Sequence, residues 1–209
     1  LQNYKTIAET GSFEKDIKKS RFIAHIAQTF SEDEANQFIQ QIRDQESSAT
    51  HNCTAFIVLE NVEIERMSDD GEPSGTAGSP ILNVLQQNNL KNVTAVVTRY
   101  FGGIKLGAGG LIRAYSSTTA DAIKEIGLVE NRLQQGYGLT IPYHLYDKFE
   151  NYAKNEKIQL DNKAFSTDVT CEIFLDLDNH EKIIQDITNQ FQNQIKFEET
   201  NQVYKQVAI

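Results

Sequence analysis

Only two cysteines, Cys53 and Cys171, occur in the 209 residues, far apart and each among β-type neighbours. There is no C-x-x-C, and the four histidines, His25, His51, His144 and His180, are scattered. This excludes a zinc site of the usual spacing, so no metal is expected and the thiols read as buried and free in a reducing cytosol. No window approaches the ~18 apolar residues that a membrane span needs. The first twenty residues hold no apolar signal core, so neither membrane insertion nor export is expected, and the location expected is cytoplasmic. No arginine follows Arg132, where Gln and Asn become frequent. The most informative absence is of acid: no Asp or Glu lies between Glu72 and Asp121, a gap of 48 residues.

That gap stands out against an acidic background. The formal net charge is −9. Residues 1–133 carry 13 Lys and Arg against 17 Asp and Glu, and residues 134–209 carry 7 Lys against 12. A bulk polycation that coats nucleic acid is excluded, but a local basic site is not. Lys91, Arg99, Lys105 and Arg113 all lie inside the acid-free stretch. They form either one positive patch or the margin of a buried core that excludes charge.

Along the chain, residues 3–9 and 12–17 read as an edge hairpin turning at Gly11-Ser12. Lys18-Lys19-Ser20-Arg21 is a basic cluster leading into a strand over 22–27. Ser31-Glu32-Asp33-Glu34 is a capping-box pattern that opens a helix with Ala35, Phe38, Ile39 and Ile42 at helical spacing. Asn52–Leu59 and Val62–Met67 read as a hairpin, and Ser68–Gly78 as an irregular loop. Pro80 suits the first turn of the next helix. Val93–Thr98 is nearly all β-branched or small, as in a strand buried on both faces. Leu111–Ile126 reads as a helix. From Gly136 the pattern is strand 138–141, helix 143–155, strands 158–165 and 168–175, helix 180–192 and strand 195–207. That is the β-α-β-β-α-β order of a ferredoxin-like domain, with a boundary expected at about 133–136.

Five glycines, Gly102, Gly103, Gly107, Gly109 and Gly110, separate this buried strand from the helix that follows it. A strand–loop–helix of this kind aims unpaired N–H groups, and the positive end of the helix dipole, outward. Lys105 and Arg113 complete an anion cradle, which makes phosphate the natural ligand class. Neither G-x-x-x-x-G-K-[ST] nor a full G-x-G-x-x-G is present, so ATP and NAD are not supported and no cofactor is expected. Tight turns and helix–sheet packing alone would also use such glycines. Asp69, Asp70 and Glu72 form an acidic triplet that suits Mg²⁺, acid–base work with His51, turn chemistry or pairing to Arg99 or Arg113. No serine or cysteine nucleophile sits in a recognisable elbow. Tyr100 and Phe101 place aromatic faces beside these cations, a combination suited to stacking on bases and equally common in cores.

Lys19-Ser-Arg-Phe-Ile-Ala24, His51-Asn-Cys53, Ser68-Asp-Asp-Gly-Glu-Pro-Ser-Gly-Thr-Ala-Gly78 and Thr98-Arg-Tyr-Phe-Gly-Gly-Ile-Lys-Leu-Gly-Ala-Gly-Gly-Leu-Ile-Arg-Ala-Tyr115 closely resemble the IMPACT family, in its bacterial YigZ-type branch. The motifs cover most of residues 15–125. The resemblance implies an α+β fold of two domains. Residues 1–133 would resemble domain 2 of ribosomal protein S5, and residues 134–209 would be ferredoxin-like. Together they are similar to the last two domains of elongation factor G, which meet RNA on the ribosome. Eukaryotic members regulate translation initiation by binding the activator of a stress-responsive kinase. They carry a different N-terminal module that is not in this sequence, so that partner is not expected here. The resemblance transfers no catalytic residues.

Three functions stay open on these residues. The first is a non-enzymatic protein that binds structured RNA or the ribosome and is linked to regulation of translation. Its contacts would be Lys19, Arg21, Arg99, Tyr100, Lys105, Gly107, Gly109, Gly110 and Arg113, with Lys18 extending the track. The second is a hydrolase or phosphotransferase acting on a phosphorylated substrate with His51, Asp69, Asp70 and Glu72. The third is a protein-interaction module that docks a partner on the exposed sheet face of its second domain.

Overall fold

The computed structural model describes residues 3–209. Their contacts divide into one unit built on Tyr4–Glu130 and another built on Asn131–Gln206. Both are α+β, the class that the resemblance implies.

The first unit runs β1 (Tyr4–Ile7), β2 (Gly11–Ile17), β3 (Ser20–Gln28), α1 (Glu32–Gln45), β4 (His51–Leu59), β5 (Glu63–Ser68), α2 (Gly78–Gln87), β6 (Val93–Tyr100) and α3 (Ala108–Ile126). An antiparallel sheet takes the order β2-β3-β6-β4-β5. Central β6 is buried along its length except at Tyr100, which explains its unbroken run of small and β-branched residues. Alternation sends Phe22, Ala24, Cys53, Ala55, Ala95 and Val97 to one face, into a core shared with α2 and α3. Phe56, Val58 and Val96 face the other way, onto Ala35, Ile39 and Ile42 of α1. Ser31 caps α1, its Oγ accepting the Glu34 N–H at 3.0 Å. The Glu34 carboxylate reaches back to the N–H of Phe30 at 2.8 Å, one residue short of a closed capping box.

The first hairpin differs from expectation. β2 pairs with β3, not with β1, and turns at Lys18-Lys19. Both lysines have positive φ, 46° and 67°. A two-residue turn between right-twisted strands needs this conformation, which usually recruits Asn-Gly. A lysine pair gives no such signal, and Gly11-Ser12 begins β2 instead.

The second unit continues with β7 (Leu128–Ile141), α4 (Tyr143–Asn155), β8 (Asp161–Phe165), β9 (Val169–Asp176), α5 (His180–Gln190) and β10 (Lys196–Ala208). Its sheet order, β10-β7-β9-β8, is ferredoxin-like. Phe149 and Ala153 of α4 and Ile187 of α5 pack on Leu139, Ile141, Cys171 and Ile173. β7 starts ten residues earlier than Gly138, because its inward positions there include Asn131 and Gln135, which hide the apolar alternation. Gln135 is satisfied inside, its Nε2 donating to the Thr200 carbonyl at 2.7 Å. No helix among the described residues is long and apolar enough to cross a membrane.

Candidate functional site

Ser20, His51 and Tyr100 lie at the same end of the first unit's sheet. Three connections meet there: the Lys18-Lys19 turn, the loop 69–77 and the loop 101–107. Contact is tightest at Gly102, where a Cβ would stand 1.8 Å from the Lys19 carbonyl oxygen. Ser20 Oγ accepts the Gly102 N–H at 3.3 Å. Gly107, with φ 70°, is the N-cap residue of α3 and holds a left-handed conformation that suits glycine.

Beneath the loops lies a buried ion pair. Arg99 Nη1 donates to Glu72 Oε1 over 2.6 Å, and the two residues are 5% and 8% exposed. Tyr115 of α3 donates to the same oxygen at 2.8 Å. Arg99 Nη2 reaches Ser20 Oγ at 3.4 Å, while its Nε is buried without a hydrogen-bond partner. The guanidinium carbon sits 5.5 Å from the ring centre of Phe22 and 5.4 Å from that of Phe101. Burial raises the Tyr115 hydroxyl far above its ordinary range, so it stays a donor. Cys53 Sγ lies 3.4 Å from Tyr115 Oη, and burial pushes its thiol up to about 12, which excludes a thiolate nucleophile.

The acidic triplet divides into three structural duties. Asp69 caps α2 from a distance, accepting the N–H groups of Gly75, Ala77 and Gly78 at 2.8, 3.0 and 2.9 Å. Asp70 accepts the Asn52 N–H at 2.7 Å and pairs with Arg43 at 3.3 Å. Glu72 holds Arg99. His51 Nδ1 lies 2.8 Å from the Asp70 carbonyl oxygen; a carbonyl only accepts, so Nδ1 carries the hydrogen. His51 Nε2 is 3.9 Å from Glu72 Oε2. No three metal-ligating side chains gather among the described residues. The carboxylates are thus engaged by an arginine, a second arginine and a helix end.

Asp69 carries a pH dependence. Burial raises its carboxyl, but the three N–H donors together outweigh burial and hold it below the usual carboxylate range. As pH falls, the unfolded chain takes up this proton first. The contribution is therefore complete above about pH 4 and is lost as pH falls through the folded pKa. Asp69→Ala is expected to cost about 1–2 kcal/mol at pH 7, with the difference from wild type shrinking at pH 3, as read by urea denaturation at both values.

On the surface above this network, Lys18, Lys19, Lys105 and Arg113 are exposed, and no hydrogen bond or ion pair holds them among the described residues. Lys18 and Arg113 line one depression of about 190 Å³ with Leu106 and Gly110. The α3 N-terminus opens beside it with no side-chain cap and no acid in its first turn. The first backbone bond of the helix runs from Leu111 to Gly107, 2.9 Å, so the N–H groups of 108–110 remain available. The other two helices of this unit that adjoin its sheet have their starts closed, α1 by Ser31 and α2 by Asp69.

The structure therefore sorts the nine expected anion-binding residues. Lys19, Lys105, Gly107, Gly109, Gly110 and Arg113 lie around the open helix start. Arg99 is interior, and its charge is directed to Glu72. The signal for this was in the sequence, since Arg99 is in phase with the inward Val93, Ala95 and Val97. Arg21 and Tyr100 pair on the opposite face of the sheet. There Arg21 donates to Glu14 at 2.7 Å and lies 5.5 Å over the Tyr100 ring, while Tyr100 donates to Glu46 at 2.7 Å. The aromatic ring left open is that of Phe101, 47% exposed.

In the second unit, the open sheet face forms a shallow groove of about 500 Å³ over Gly138 and Thr140. Glu172, Lys196 and Glu198 line it, so it presents mixed charge rather than a contiguous apolar patch.

The profile of the Impact N-terminal domain matches residues 18–123, and a second profile, described as a domain of unknown function, matches residues 139–194. The chain is 46% identical over 176 residues to the IMPACT family member YvyE of Bacillus subtilis, covering 84% of this chain and 81% of that protein. It is 34% identical over 163 residues to the IMPACT family member YigZ of Escherichia coli, covering 77% and 78%. A crystal structure of a protein described only as hypothetical superposes with a TM-score of 0.61 at 28% identity, covering 94% of this chain and 97% of that one.

Proposed function

Because this chain belongs to the IMPACT family, we propose that it is a non-enzymatic, translation-linked protein that binds structured RNA through the surface around the start of α3. The role in translation is the one the family resemblance implies. The observation that carries RNA as the ligand is the cluster of exposed, unpaired cations, Lys18, Lys19, Lys105 and Arg113, around an uncapped helix start in an otherwise acidic chain. Phosphates would take the 108–110 N–H groups and these cations. Arg99 and Glu72 serve this surface from below, holding the loop 101–107 against the sheet.

The test is fluorescence anisotropy of a labelled RNA hairpin at several salt concentrations. Wild type is expected to bind with a steep salt dependence. The triple variant Lys19→Ala, Lys105→Ala, Arg113→Ala is expected to reduce the log–log salt slope by about three. Gly109→Ala separates binding from folding. Its Cβ would meet only Arg113 Nη1, at 3.6 Å, so the helix should gain about 0.5–1 kcal/mol. Binding should weaken nonetheless, because a methyl then covers the N–H groups. Salt-insensitive or absent binding by wild type would overturn the proposal.

A further inference from the structure

Phe101 is the residue that the proposed surface leaves unexplained. A large apolar ring is 47% exposed directly after a strand whose other residues are almost all buried. It is also held. Its N–H donates to Thr50 Oγ1 at 3.0 Å. The Arg99 guanidinium carbon lies 5.4 Å over the ring, and that guanidinium is fixed by Glu72 at 2.6 Å. The next residue, Gly102, is locked against Lys19. A ring supported from beneath by an immobile cation, and open above, loses little side-chain freedom when a second flat group settles on it.

The surroundings say what that group is. Lys19 adjoins through the Gly102 contact, Lys105 follows four residues on, and both are unpaired cations among the described residues. Ile104, next to Lys105, is 41% exposed and adds apolar surface to the same loop. A flat apolar seat rimmed by positive charge complements one nucleotide, with its base on the ring and its phosphates on the lysines. A paired base inside a duplex cannot offer its face, so the seat requires an unpaired one.

We infer that Phe101 is a stacking platform for an unpaired nucleobase, so that the preferred RNA is a loop or bulge rather than a continuous duplex. This rests on the RNA-binding reading above and adds a ligand class to it. Tyr100, the other aromatic of the pair, has no part in it, because Arg21 covers its ring and Glu46 takes its hydroxyl.

The test uses the full chain and two RNAs of equal length, a hairpin with 2-aminopurine in its loop and a blunt duplex with 2-aminopurine in a pair. Wild type is expected to bind the hairpin more tightly and to quench its fluorophore. Phe101→Leu, which keeps an apolar cover over Arg99, is expected to lose the quench and roughly 5- to 100-fold in hairpin affinity, with duplex affinity unchanged. Phe101→Trp is expected to retain both quench and preference. Equal binding of hairpin and duplex by wild type, or an unchanged quench with Phe101→Leu, would overturn the inference while leaving cation-dependent RNA binding intact. No binding of either RNA by wild type would remove the RNA reading itself, and the platform with it. Thermal melts of both variants confirm folding, and the wild-type quench and preference need no variant at all.

Discussion

Glu72→Ala is expected to destabilise the first unit by about 3–5 kcal/mol, because it leaves the Arg99 guanidinium charged, buried and without its counter-ion. The pair sits 2.6 Å apart, with side chains 6% and 3% exposed, so water does not replace the lost carboxylate. Tyr115, buried completely, loses its acceptor in the same step. Arg99→Met is expected to cost a similar amount from the other side, by stranding the carboxylate. The double variant should cost clearly less than the sum, since it removes both charges at once. Urea-dependent hydrogen exchange of the amides of residues 96–98, in the centre of the sheet, reads the effect in the first unit alone. Additive losses below about 1 kcal/mol each would mean that the pair behaves as a solvated surface bridge, and would end its role as the support of the loop.

The second large effect falls on Gly102→Ala, where about 3 kcal/mol or more is expected to be lost. The methyl would stand 1.8 Å from the Lys19 carbonyl oxygen and 2.1 Å from its carbon. Those are backbone atoms of a two-residue turn already in an uncommon conformation, so neither side yields without breaking the Ser20–Gly102 hydrogen bond. The neighbouring glycines calibrate the result. Gly103→Ala meets open space but inherits a φ of 84°, which costs about 1–2 kcal/mol. Gly109→Ala meets neither obstacle and should stabilise. Melting temperatures should therefore fall most for position 102, modestly for 103, and rise for 109. Equal changes at all three positions would contradict the close packing of turn and loop. Because Lys19 is part of that turn, Gly102→Ala should also displace it from the cation cluster and weaken the proposed RNA binding beyond its effect on folding.

Much of the molecule was legible along the chain. α4 spans the residues its apolar spacing indicates, 143–155, and Ser31 starts α1 by a local hydrogen bond. The ferredoxin-like element order and the α+β class follow from periodicities of two and about 3.6, which act between near neighbours. The acid-free stretch and its glycine-rich loop also pointed to one end of the sheet, because a strand followed directly by a helix leaves only one place for the loop. What the linear pattern could not supply were contacts across distance. Lys18-Lys19 turns because β2 and β3 pair there, despite lacking turn residues. Asp69 looks like a ligand in isolation and is a cap once α2 is placed nine residues on.

By itself, then, the sequence determined the elements, the fold class, the family and the basic loop, since each depends on local propensity or on a contiguous motif. The tertiary structure alone decided which of the cations and aromatics face outward. Arg99 is turned inward by the register of β6 and paired with Glu72 across 27 residues. Tyr100 is covered by Arg21, from a strand 79 positions away. Phe101 is left open because the strand ends one residue before it. Burial, pairing and exposure are properties of neighbours brought together by folding, and a linear pattern does not contain them.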